Sequence, residues 1–238
     1  MDHSDVAASH FVILTPRLIL VPTPVAVDLS SYRALYSKLH ADAAFCEMGF
    51  GHHFLPRKWS DQETRDVIQT RDIDRCWKVR GLGDFAVGFR PSKLNANHLP
   101  EAEPTGVQLV KDQESLRLAG LSKSDLAEVE WAGYAGVRDA TTTSMPPREP
   151  GDADLPPWVE MIEIRYGVSP SHWGKGIAKE ASQAIMQWAA TTGVKRFIAE
   201  TEKENTRSAG LLQKLGFTLS ETNYWKEPSE LEWHCTAK

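Results

Sequence analysis

The sequence predicts an α+β domain, a mixed sheet flanked by helices, and two adjoining stretches carry this prediction. Residues 162–168 form a short run that is β-branched and apolar enough for a buried strand, and Ser169-Pro170 ends it. Beyond the break, apolar residues recur at helical spacing from Ile177 to Ala189, with polar residues on the opposite face. Gly193 stands where a C-terminal helix cap is expected.

Composition is that of an ordinary globular protein. The chain has 238 residues, 41% of them apolar and 25% charged, so we expect a single domain over residues 1–238. The net charge of −5 argues against a nucleic-acid partner and is compatible with a cationic substrate. No apolar run is long enough to span a membrane.

The cysteines and the first residues indicate a cellular location. Cys46, Cys76 and Cys235 are odd in number and far apart, which argues against a disulfide framework and fits a reducing compartment. They do not pair with histidines at zinc spacing, so we expect no metal. Residues 1–10 are polar and acidic, unlike a signal peptide, and this predicts a cytoplasmic protein.

The N-terminal half predicts strands, helices and long loops. A strand is expected from about Arg17, because Pro16 interrupts the run before it, and Pro24 then opens a helix. Ser60 and Glu63 form a capping box that predicts a second helix over about residues 60–70. Residues 76–89 are expected to form a strand or a hairpin, and residues 128–137 the next strand. The segments near 91–125 and 139–157 are rich in polar residues or proline, and we expect loop insertions there.

The C-terminal part predicts a further strand, a helix and the closing strands. Residues 196–201 alternate as a strand does, and Asn205 follows as the N-cap of a helix that Gly216 ends. Residues 217–220, 224–225 and 231–235 then offer one or two closing antiparallel strands.

A glycine turn stands at the start of the helix that follows the central strand. Gly174, Lys175 and Gly176 lie where free backbone N–H groups point out of the helix, and glycine lets a ligand approach them closely. This arrangement predicts a phosphate or pyrophosphate site. The P-loop would need a glycine at Ser169, and the dinucleotide fingerprint would need one at Lys179, so neither motif is present.

Three blocks of residues resemble the GNAT superfamily of N-acetyltransferases, and within it the branch of ribosomal-protein N-terminal acetyltransferases (RimJ/RimL-like) and their small-molecule relatives. The family signature for coenzyme A matches residues 173–178 (WGKGIA) except at the first position, where the branch commonly carries Trp, and Glu180-Ala181 follows as in the branch. Residues 205–208 and 214–217 resemble the later motif, and residues 14–20 resemble the first strand. The blocks occur in family order.

The resemblance implies a GNAT fold, with a central, mostly antiparallel twisted sheet whose two central strands splay apart. It also implies that the pantetheine arm of acetyl-CoA lies in that gap and pairs with strand backbone, while the glycine turn holds the phosphates. The residues expected to bind the coenzyme are Tyr166, Gly167, Val168, Trp173, Gly174, Lys175, Gly176, Ile177, Ala178, Lys179 and Asn205. The alternative for the two lysines is that they lie on a solvated helix face. The alternative for Asn205 is that it only caps the helix.

Acetyl transfer to an amine requires the amine to be neutral, and in the family a glutamate on or beside the central strand often removes its proton. Glu163 is the nearest match, with Glu160 in reserve. The alternative for Glu163 is a structural carboxylate paired with Arg165 or with a neighbouring strand.

Many members of the family use a tyrosine on the later helix to protonate the departing thiolate. Leu212 occupies that position here, so the resemblance points to Ser208 as the substitute donor. A capping role for Ser208 beside Asn205 is the competing interpretation.

The sequence therefore predicts an acetyl-CoA-dependent N-acetyltransferase that transfers the acetyl group directly to a primary amine in a ternary complex. The acceptor is a small molecule or a peptide N-terminus, and we expect a monomer or a homodimer without nucleic-acid or membrane partners. The alternative is a catalytically silent acyl-CoA-binding module.

Overall fold

The computed structural model describes residues 11–51 and 53–237, so the first ten residues, on which the predicted location depends, lie outside the described part. The strands are β1 Phe11–Leu14, β2 Leu18–Pro22, β3 Asp84–Phe89, β4 Gln108–Lys111, β5 Trp131–Asp139, β6 Ile162–Val168, β7 Arg196–Glu202, β8 Thr218–Leu219 and β9 Glu230–Thr236. The α-helices are α1 Thr23–Ala26, α2 Ser30–Ala41, α3 Ala43–Phe50, α4 Asp61–Ile68, α5 Lys78–Arg80, α6 Gln113–Leu118, α7 Lys123–Ala127, α8 Ala140–Thr143, α9 Ile177–Ala190 and α10 Thr206–Lys214.

The strands form one sheet in the order β4-β1-β2-β3-β5-β6-β7-β9-β8. Every neighbouring pair is antiparallel except β6 and β7, which are parallel and joined by the crossover helix α9. The predicted mixed, mostly antiparallel sheet flanked by helices is thus confirmed. Within the described residues, no helix is both long and apolar enough to cross a membrane.

The two central strands separate soon after they meet. β6 and β7 pair at Ile162 with Phe197 and at Glu163 with Ile198, although β6 continues to Val168 and β7 to Glu202. The splayed strands expected from the resemblance are therefore present, and a gap opens between the carboxyl halves of β6 and β7.

The gap opens on both faces of the sheet, which carry different helices. Side chains alternate along β6, so Glu163 and Gly167 share one face and Tyr166 lies on the other. A Cβ atom at Gly167 would lie 2.8 Å from the ring of Phe45 in α3, which places α3 on the first face. Tyr166 lies near Ser208 of α10, which is on the second face. We call these the α3 face and the α10 face.

Helix α9 packs against β2, β5 and β6 through a stripe of small and branched side chains. The buried members of this stripe are Ile177, Ala181, Ser182, Ala184, Ile185 and Ala189. Alanine or serine at four of the six positions lets the helix axis approach the sheet closely, which fixes the start of α9 beside the end of β6. Helix α4 begins at the predicted capping box, in which Ser60 and Glu63 bond each other's backbone amides.

Residues 76–89 were expected to form a strand or hairpin, and this prediction is wrong for the first part. The chain continues from α4 through a π-helical stretch, Gln69–Trp77, into α5, and only Asp84–Phe89 is extended. The wide π turn brings the Asp72 carboxylate inward, where it accepts hydrogen bonds from the Thr23 hydroxyl and from the amide of Asp84. Gly81, with φ of 67°, ends the helix.

Two other segments contain more regular structure than expected. Residues 11–22 form two strands rather than one, because Pro16 lies in a tight turn in which Thr15 accepts a hydrogen bond from the amide of Leu18. Residues 91–125, expected to be a loop insertion, contain β4, α6 and α7, and β4 adds to the sheet beside β1. Residues 224–225, offered as a closing strand, lie in a loop.

Residues 139–157, the second expected insertion, cover part of the α3 face. Two side chains of this segment, Met145 and Leu155, pack against a small apolar cluster that includes Ile198 of β7 and Trp225. Lys226 forms ion pairs with Glu149 and Asp152 and so joins the insertion to the loop before β9.

Candidate active site

A cavity of about 650 Å³ occupies the gap between β6 and α10. Nine of the eleven predicted coenzyme residues line it: Tyr166, Gly167, Val168, Trp173, Gly174, Gly176, Ile177, Ala178 and Lys179. Ser208 also lines it, whereas Lys175, Asn205 and Glu163 do not. Sequence reasoning missed Phe45, Met48, Gly49, Phe50, Tyr134, His172, Thr206, Arg207, Gly210, Leu211 and Lys214.

One end of the cavity is the glycine turn at the start of α9. Gly174 and Gly176 have φ of 76° and 77°, the left-handed region that favours glycine. Gly176 is the N-cap and offers no side chain to the first amides of the helix. These amides, at the positive end of the helix dipole, are suited to bind a phosphate group.

Three cationic side chains line the cavity: Lys179 from α9, and Arg207 and Lys214 from α10. The guanidinium of Arg207 lies 5.0 Å from the centre of the Trp173 ring, a cation–π contact that links the glycine turn to α10. These charges would complement the phosphates of a nucleotide-bearing ligand.

The turn between β1 and β2 holds the glycine turn from outside the cavity. The Arg17 guanidinium donates to Glu180 at 2.6 Å and to the carbonyl of Lys175 at 3.0 Å. Glu180 also accepts from the Thr15 hydroxyl at 2.6 Å and from the Arg17 amide at 3.0 Å. We call Thr15, Arg17 and Glu180 the clamp. It brings together two of the blocks on which the family resemblance rests.

The backbone of β6 alternates between β5 and the gap. The Ser169 amide donates to the carbonyl of Ala132 on β5. Because backbone groups alternate in direction along an antiparallel strand, those of Gly167 also point to β5, at Tyr134. The backbone groups of Tyr166 and Val168 therefore point into the gap. The Trp173 indole N–H donates to the Val168 carbonyl at 2.7 Å. Tyr166 and Val168 can therefore pair with an extended ligand, whereas Gly167 faces its neighbouring strand.

Because Gly167 has no side chain, two aromatic rings can pack against it at the opposite end of the cavity. A Cβ atom there would lie 2.7 Å from the Tyr134 ring and 2.8 Å from the Phe45 ring. These two rings, with Phe50, form an apolar end wall. No sequence pattern singled them out, because their contact with Gly167 depends on how α3 docks on the sheet.

Glu163 lies on the α3 face but is held in a buried ion pair. Its carboxylate accepts from the Arg138 guanidinium at 2.7 and 2.9 Å and from the Ser144 hydroxyl, and the residue is 6% exposed. Burial alone would raise the pKa of Glu163, but the charge and hydrogen bonds of Arg138 outweigh it and lower the pKa. The partner is thus Arg138 on the adjacent strand rather than Arg165. Glu160 is paired with Arg196 at 3.1 Å.

Asn205 caps α10. Its side-chain oxygen accepts from the amide of Ser208 at 3.0 Å, and its amide nitrogen donates to the carbonyl of Met48 at 2.9 Å. Both polar ends of Asn205 are therefore occupied, and the residue ties α10 to α3. The hydroxyl of Ser208 does not cap the helix.

Ser208 and Tyr166 both line the cavity, and their side chains lie near each other. Burial raises the pKa of Tyr166, although the neighbouring Ser208 lowers it in part. Leu212, at the position of the absent tyrosine, is 0% exposed and belongs to the core.

A second pair of carboxyls on the α3 face escaped sequence analysis. Glu200 lies on β7 two residues beyond Ile198, where the strands have separated, and its carboxyl meets that of Glu230 on β9. Both Oε2 atoms are buried and have no hydrogen-bond partner among the described residues. Burial and the Glu230 carboxyl raise the pKa of Glu200 to about 9.

The signal for this pair was present in the sequence as four glutamates at alternate strand positions. Glu200 and Glu202 on β7 face Glu232 and Glu230 on β9 in register. The Glu202 carboxylate lies against Gly51, at the end of α3, and so borders the apolar end wall. No group of three His, Cys, Asp or Glu residues that could hold a metal ion occurs in the part of the chain that the structure describes.

Comparison with known proteins identifies the family. Residues 17–218 match the family described as an acetyltransferase (GNAT) domain. A segment of 56 residues is 43% identical to the uncharacterized N-acetyltransferase p20 of Bacillus licheniformis, a match that spans 23% of this chain and 32% of that protein.

Solved structures share the fold over nearly the whole chain. An acetyltransferase from Agrobacterium tumefaciens is 20% identical, with a TM-score of 0.54 over 94% of this chain and 93% of that one. RimL, a ribosomal L7/L12 alpha-N-protein acetyltransferase in complex with coenzyme A, is 17% identical, with a TM-score of 0.52 over 93% and 95%. YncA of Salmonella typhimurium, with acetyl-CoA, is 13% identical, with a TM-score of 0.50 over 96% and 94%. The family match extends over most of the chain, and the protein belongs to the GNAT acetyltransferase domain family.

Proposed function

We propose that the protein is an acetyl-CoA-dependent N-acetyltransferase that transfers an acetyl group directly to a primary amine. The observation that carries the proposal is the cavity itself, which joins a glycine turn at a helix start to backbone groups of a splayed strand that no neighbouring strand pairs. Family membership and the coenzyme complexes of RimL and YncA support it.

Different residues of the cavity would bind different parts of the coenzyme. The amides after Gly176, with Lys179, Arg207 and Lys214, would hold the phosphates, and the backbone of Tyr166 and Val168 would pair with the pantetheine arm. When bound, acetyl-CoA supplies an activated acetyl thioester. Lys175 and Asn205 lie outside the cavity, so direct contacts from them, expected from the resemblance, remain predictions.

The acceptor amine would enter from the α3 face. With one shared proton, Glu200 and Glu230 carry a single negative charge that attracts an ammonium group. As the cation approaches, it favours release of the shared proton to water, and the ionised Glu200 carboxylate can then remove a proton from the ammonium. A pKa of about 9 lies between those of α-amino and lysine-like amines, which suits such a transfer. Glu163, the base expected from the sequence, is the second candidate.

The class of acceptor follows from these surroundings. Phe50 is 38% exposed at the end wall, and Glu202 borders the same wall. An amine with an apolar neighbouring group fits this combination of ring and carboxylate. Both a peptide N-terminus, as the RimL likeness would favour, and a small amine meet that description.

Coenzyme binding tests the assignment of the glycine turn. Gly174 and Gly193 stand at opposite ends of α9 with positive φ, and neither has a neighbour within 4 Å of an added Cβ. Alanine should therefore strain both positions by a similar 1 to 2 kcal/mol or so. Only Gly174→Ala should weaken coenzyme A binding in calorimetry, by about ten-fold or more, since only Gly174 lines the cavity. Equal affinities of the two variants would contradict the assignment.

Turnover separates the enzyme from a silent binding module. A panel of peptides and small amines, assayed for thiol release from acetyl-CoA, should reveal acceptors that depend on Glu200. A protein that binds coenzyme A and releases no thiol with any amine would be a binding module.

A further inference from the structure

The hydroxyl end of the Tyr134 ring lies over Gly167 at the end wall of the cavity. We propose that Tyr134 positions the acceptor, with its phenol oxygen accepting a hydrogen bond from an N–H of the primary amine. The inference rests on the proposed function, because it names the group that orients the amine for acetyl transfer. It also gives the site a chemical selectivity, since a primary amine has an N–H to spare for this bond and a tertiary amine does not.

The first support is the position of the hydroxyl. Tyr134 on β5 lies directly opposite Gly167 on β6, and the side chains of such a pair share one face of the sheet. A Cβ atom added at Gly167 would lie 2.7 Å from the ring carbon of Tyr134 that bears the hydroxyl. The ring therefore leans from β5 across β6 on the α3 face, and its oxygen is carried toward the gap.

The second support is that the ring is held in place by its neighbours. Three aromatic side chains pack against it, with ring centres 5.6 to 6.3 Å away: Tyr36, His40 and Phe45. The Arg165 guanidinium lies 5.9 Å from the centre of the same ring, so an ammonium group cannot use that face of Tyr134. The hydroxyl is the part of the side chain that remains for a ligand in the cavity.

The hydroxyl is also in a suitable chemical state. Burial raises the pKa of Tyr134 to about 12, the charge of Arg165 lowers it in part, and no hydrogen bond contributes to the shift. The phenol is therefore neutral at physiological pH, and its oxygen can accept from an N–H. Asp84 pairs with Arg165 at 3.1 Å, which reduces the repulsion between this cation and an entering ammonium group.

The third support is the position of the carboxyls across the gap. Strand β7 separates from β6 after Ile198, so its next side chains on the α3 face are those of Glu200 and Glu202. An amine in the gap thus has carboxyls on the β7 side and the phenol of Tyr134 on the β5 side. The ammonium form donates to both. After it loses a proton to a carboxylate, the neutral amine keeps one N–H on the phenol, which directs its lone pair away from Tyr134.

The acetyl group would lie at the same place. The cavity extends from the glycine turn to the end wall. A coenzyme whose phosphates bind at the turn would extend along β6 past Val168 toward Gly167, so its thioester end would lie against the wall. An amine held by Tyr134 would then stand beside the thioester, which is the proximity that direct transfer requires.

The test removes the Tyr134 hydroxyl and keeps the ring, in Tyr134→Phe, with Tyr32→Phe as the matched control. The Tyr32 hydroxyl is buried without a hydrogen-bond partner among the described residues, and Tyr32 does not line the cavity. Thermal unfolding and calorimetry with coenzyme A first establish that both variants fold and bind. We expect coenzyme affinities within about three-fold of the parent, because the inference gives neither hydroxyl a contact with the coenzyme.

The first readout is the binding of two amines to protein saturated with coenzyme A, measured by calorimetry. Phenethylamine is a primary amine with an apolar ring, and the protonated form of N,N-dimethylphenethylamine has a single N–H, which the carboxyls would take. Tyr134→Phe should weaken phenethylamine binding roughly ten-fold to a hundred-fold, as loss of a hydrogen bond to a charged group does, and dimethyl binding by less than about three-fold. Tyr32→Phe should bind both amines as the parent does.

The second readout is turnover with the best acceptor from the amine panel. Tyr134→Phe should lower kcat/KM for this acceptor by about ten-fold or more, chiefly through KM, since the bond is present in the bound amine as well as in the transition state. The KM for acetyl-CoA should stay close to that of the parent.

Equal losses for the two amines, or no loss for phenethylamine, would overturn the inference. So would a coenzyme-loaded parent that binds neither amine, because the site would then not accept an ammonium group. A Tyr134→Phe protein that binds both amines normally and yet turns over slowly would place the phenol beside another reacting atom, and the inference would be wrong. Failure of the parent protein to bind coenzyme A would instead refute the proposed function.

Discussion

Glu163 and Glu200 occupy the same face of the sheet, yet their surroundings shift their pKa values in opposite directions. Arg138 stabilises the charged form of Glu163, whereas burial and Glu230 destabilise the charged form of Glu200. A base must hold its proton about as strongly as the amine does, so the environment favours Glu200. Both glutamates are visible in the sequence, but their partners, Arg138 for Glu163 and Glu230 for Glu200, are visible only in the fold.

Replacement of each glutamate by glutamine distinguishes the roles. Glu200→Gln should lower kcat by roughly 10² to 10⁴, as loss of a general base does, with a smaller loss at high pH, where the amine is already neutral. Glu163→Gln leaves the partly buried Arg138 without a countercharge and should destabilise the fold by up to about 3 kcal/mol, with a smaller effect on the rate. Rate–pH profiles and urea unfolding of both variants measure this. The reverse outcome, a stable and slow Glu163→Gln, would restore the assignment made from the sequence.

Among the elements, the start of α9 depends on a turn 150 and more residues earlier in the chain. Thr15 and Arg17 hold Glu180 and the Lys175 carbonyl, so the glycine turn is fixed from behind while its amides face the cavity. The Glu180 side chain is only 17% exposed, which strengthens this contact relative to a surface ion pair.

Loss of the clamp should weaken coenzyme binding without contact to the coenzyme. Glu180→Gln should raise the Kd for coenzyme A by about five- to fifty-fold, in line with coupling energies of 1 to 2 kcal/mol or so, because the turn loses its fixed conformation. Asp61→Asn is the matched control, since Asp61 holds Arg33 by two similar hydrogen bonds far from the cavity. Calorimetry with coenzyme A on both variants gives the comparison. An unchanged Kd for Glu180→Gln would show that the turn is rigid on its own.

At the scale of elements, local signals gave the best predictions. β6, α9, α4 and α10 were anticipated because their caps, glycines and periodicity lie within the element. The stretch at residues 69–80 was missed because its helical pattern contains a π turn, which shifts the spacing of Asp72 and Trp77. The end wall was missed because it depends on the docking of α3. Tyr166 was predicted to bind the coenzyme through its backbone, and only the fold places its side chain beside Ser208 in the cavity.

For the whole molecule, buried carboxyls set the dependence of stability on pH. Burial and the charge of Asp84 raise the pKa of Asp72 to about 7, and Asp72 is 4% exposed. In the unfolded chain an aspartate ionises near pH 3.9. Between these values the folded state binds more protons than the unfolded state, so the free energy of unfolding falls as the pH rises from about 4 to about 7.

Asp72→Asn should remove this dependence. Asparagine can still accept from the Asp84 amide and cannot ionise. Relative to the parent, the variant should gain roughly 2 to 3 kcal/mol of stability between pH 5 and pH 8. Denaturant unfolding of both proteins at the two pH values measures the difference. Parallel stabilities at both pH values would mean that Asp72 titrates in the folded protein as it does in the unfolded chain.

The separation of β6 and β7 gives the sheet an edge in its interior. Edge strands expose unpaired N–H and C=O groups and can recruit a strand from another chain. Here the exposed groups belong to Tyr166 and Val168, and the Trp173 indole already occupies one of the carbonyls. Trp173 thus protects the interior edge from pairing with another strand, as a charged residue or a proline protects an outer edge. A bound pantetheine arm would occupy the remaining backbone groups. Loss of the indole N–H would leave the apo protein more prone to self-association, and saturation with coenzyme would suppress it.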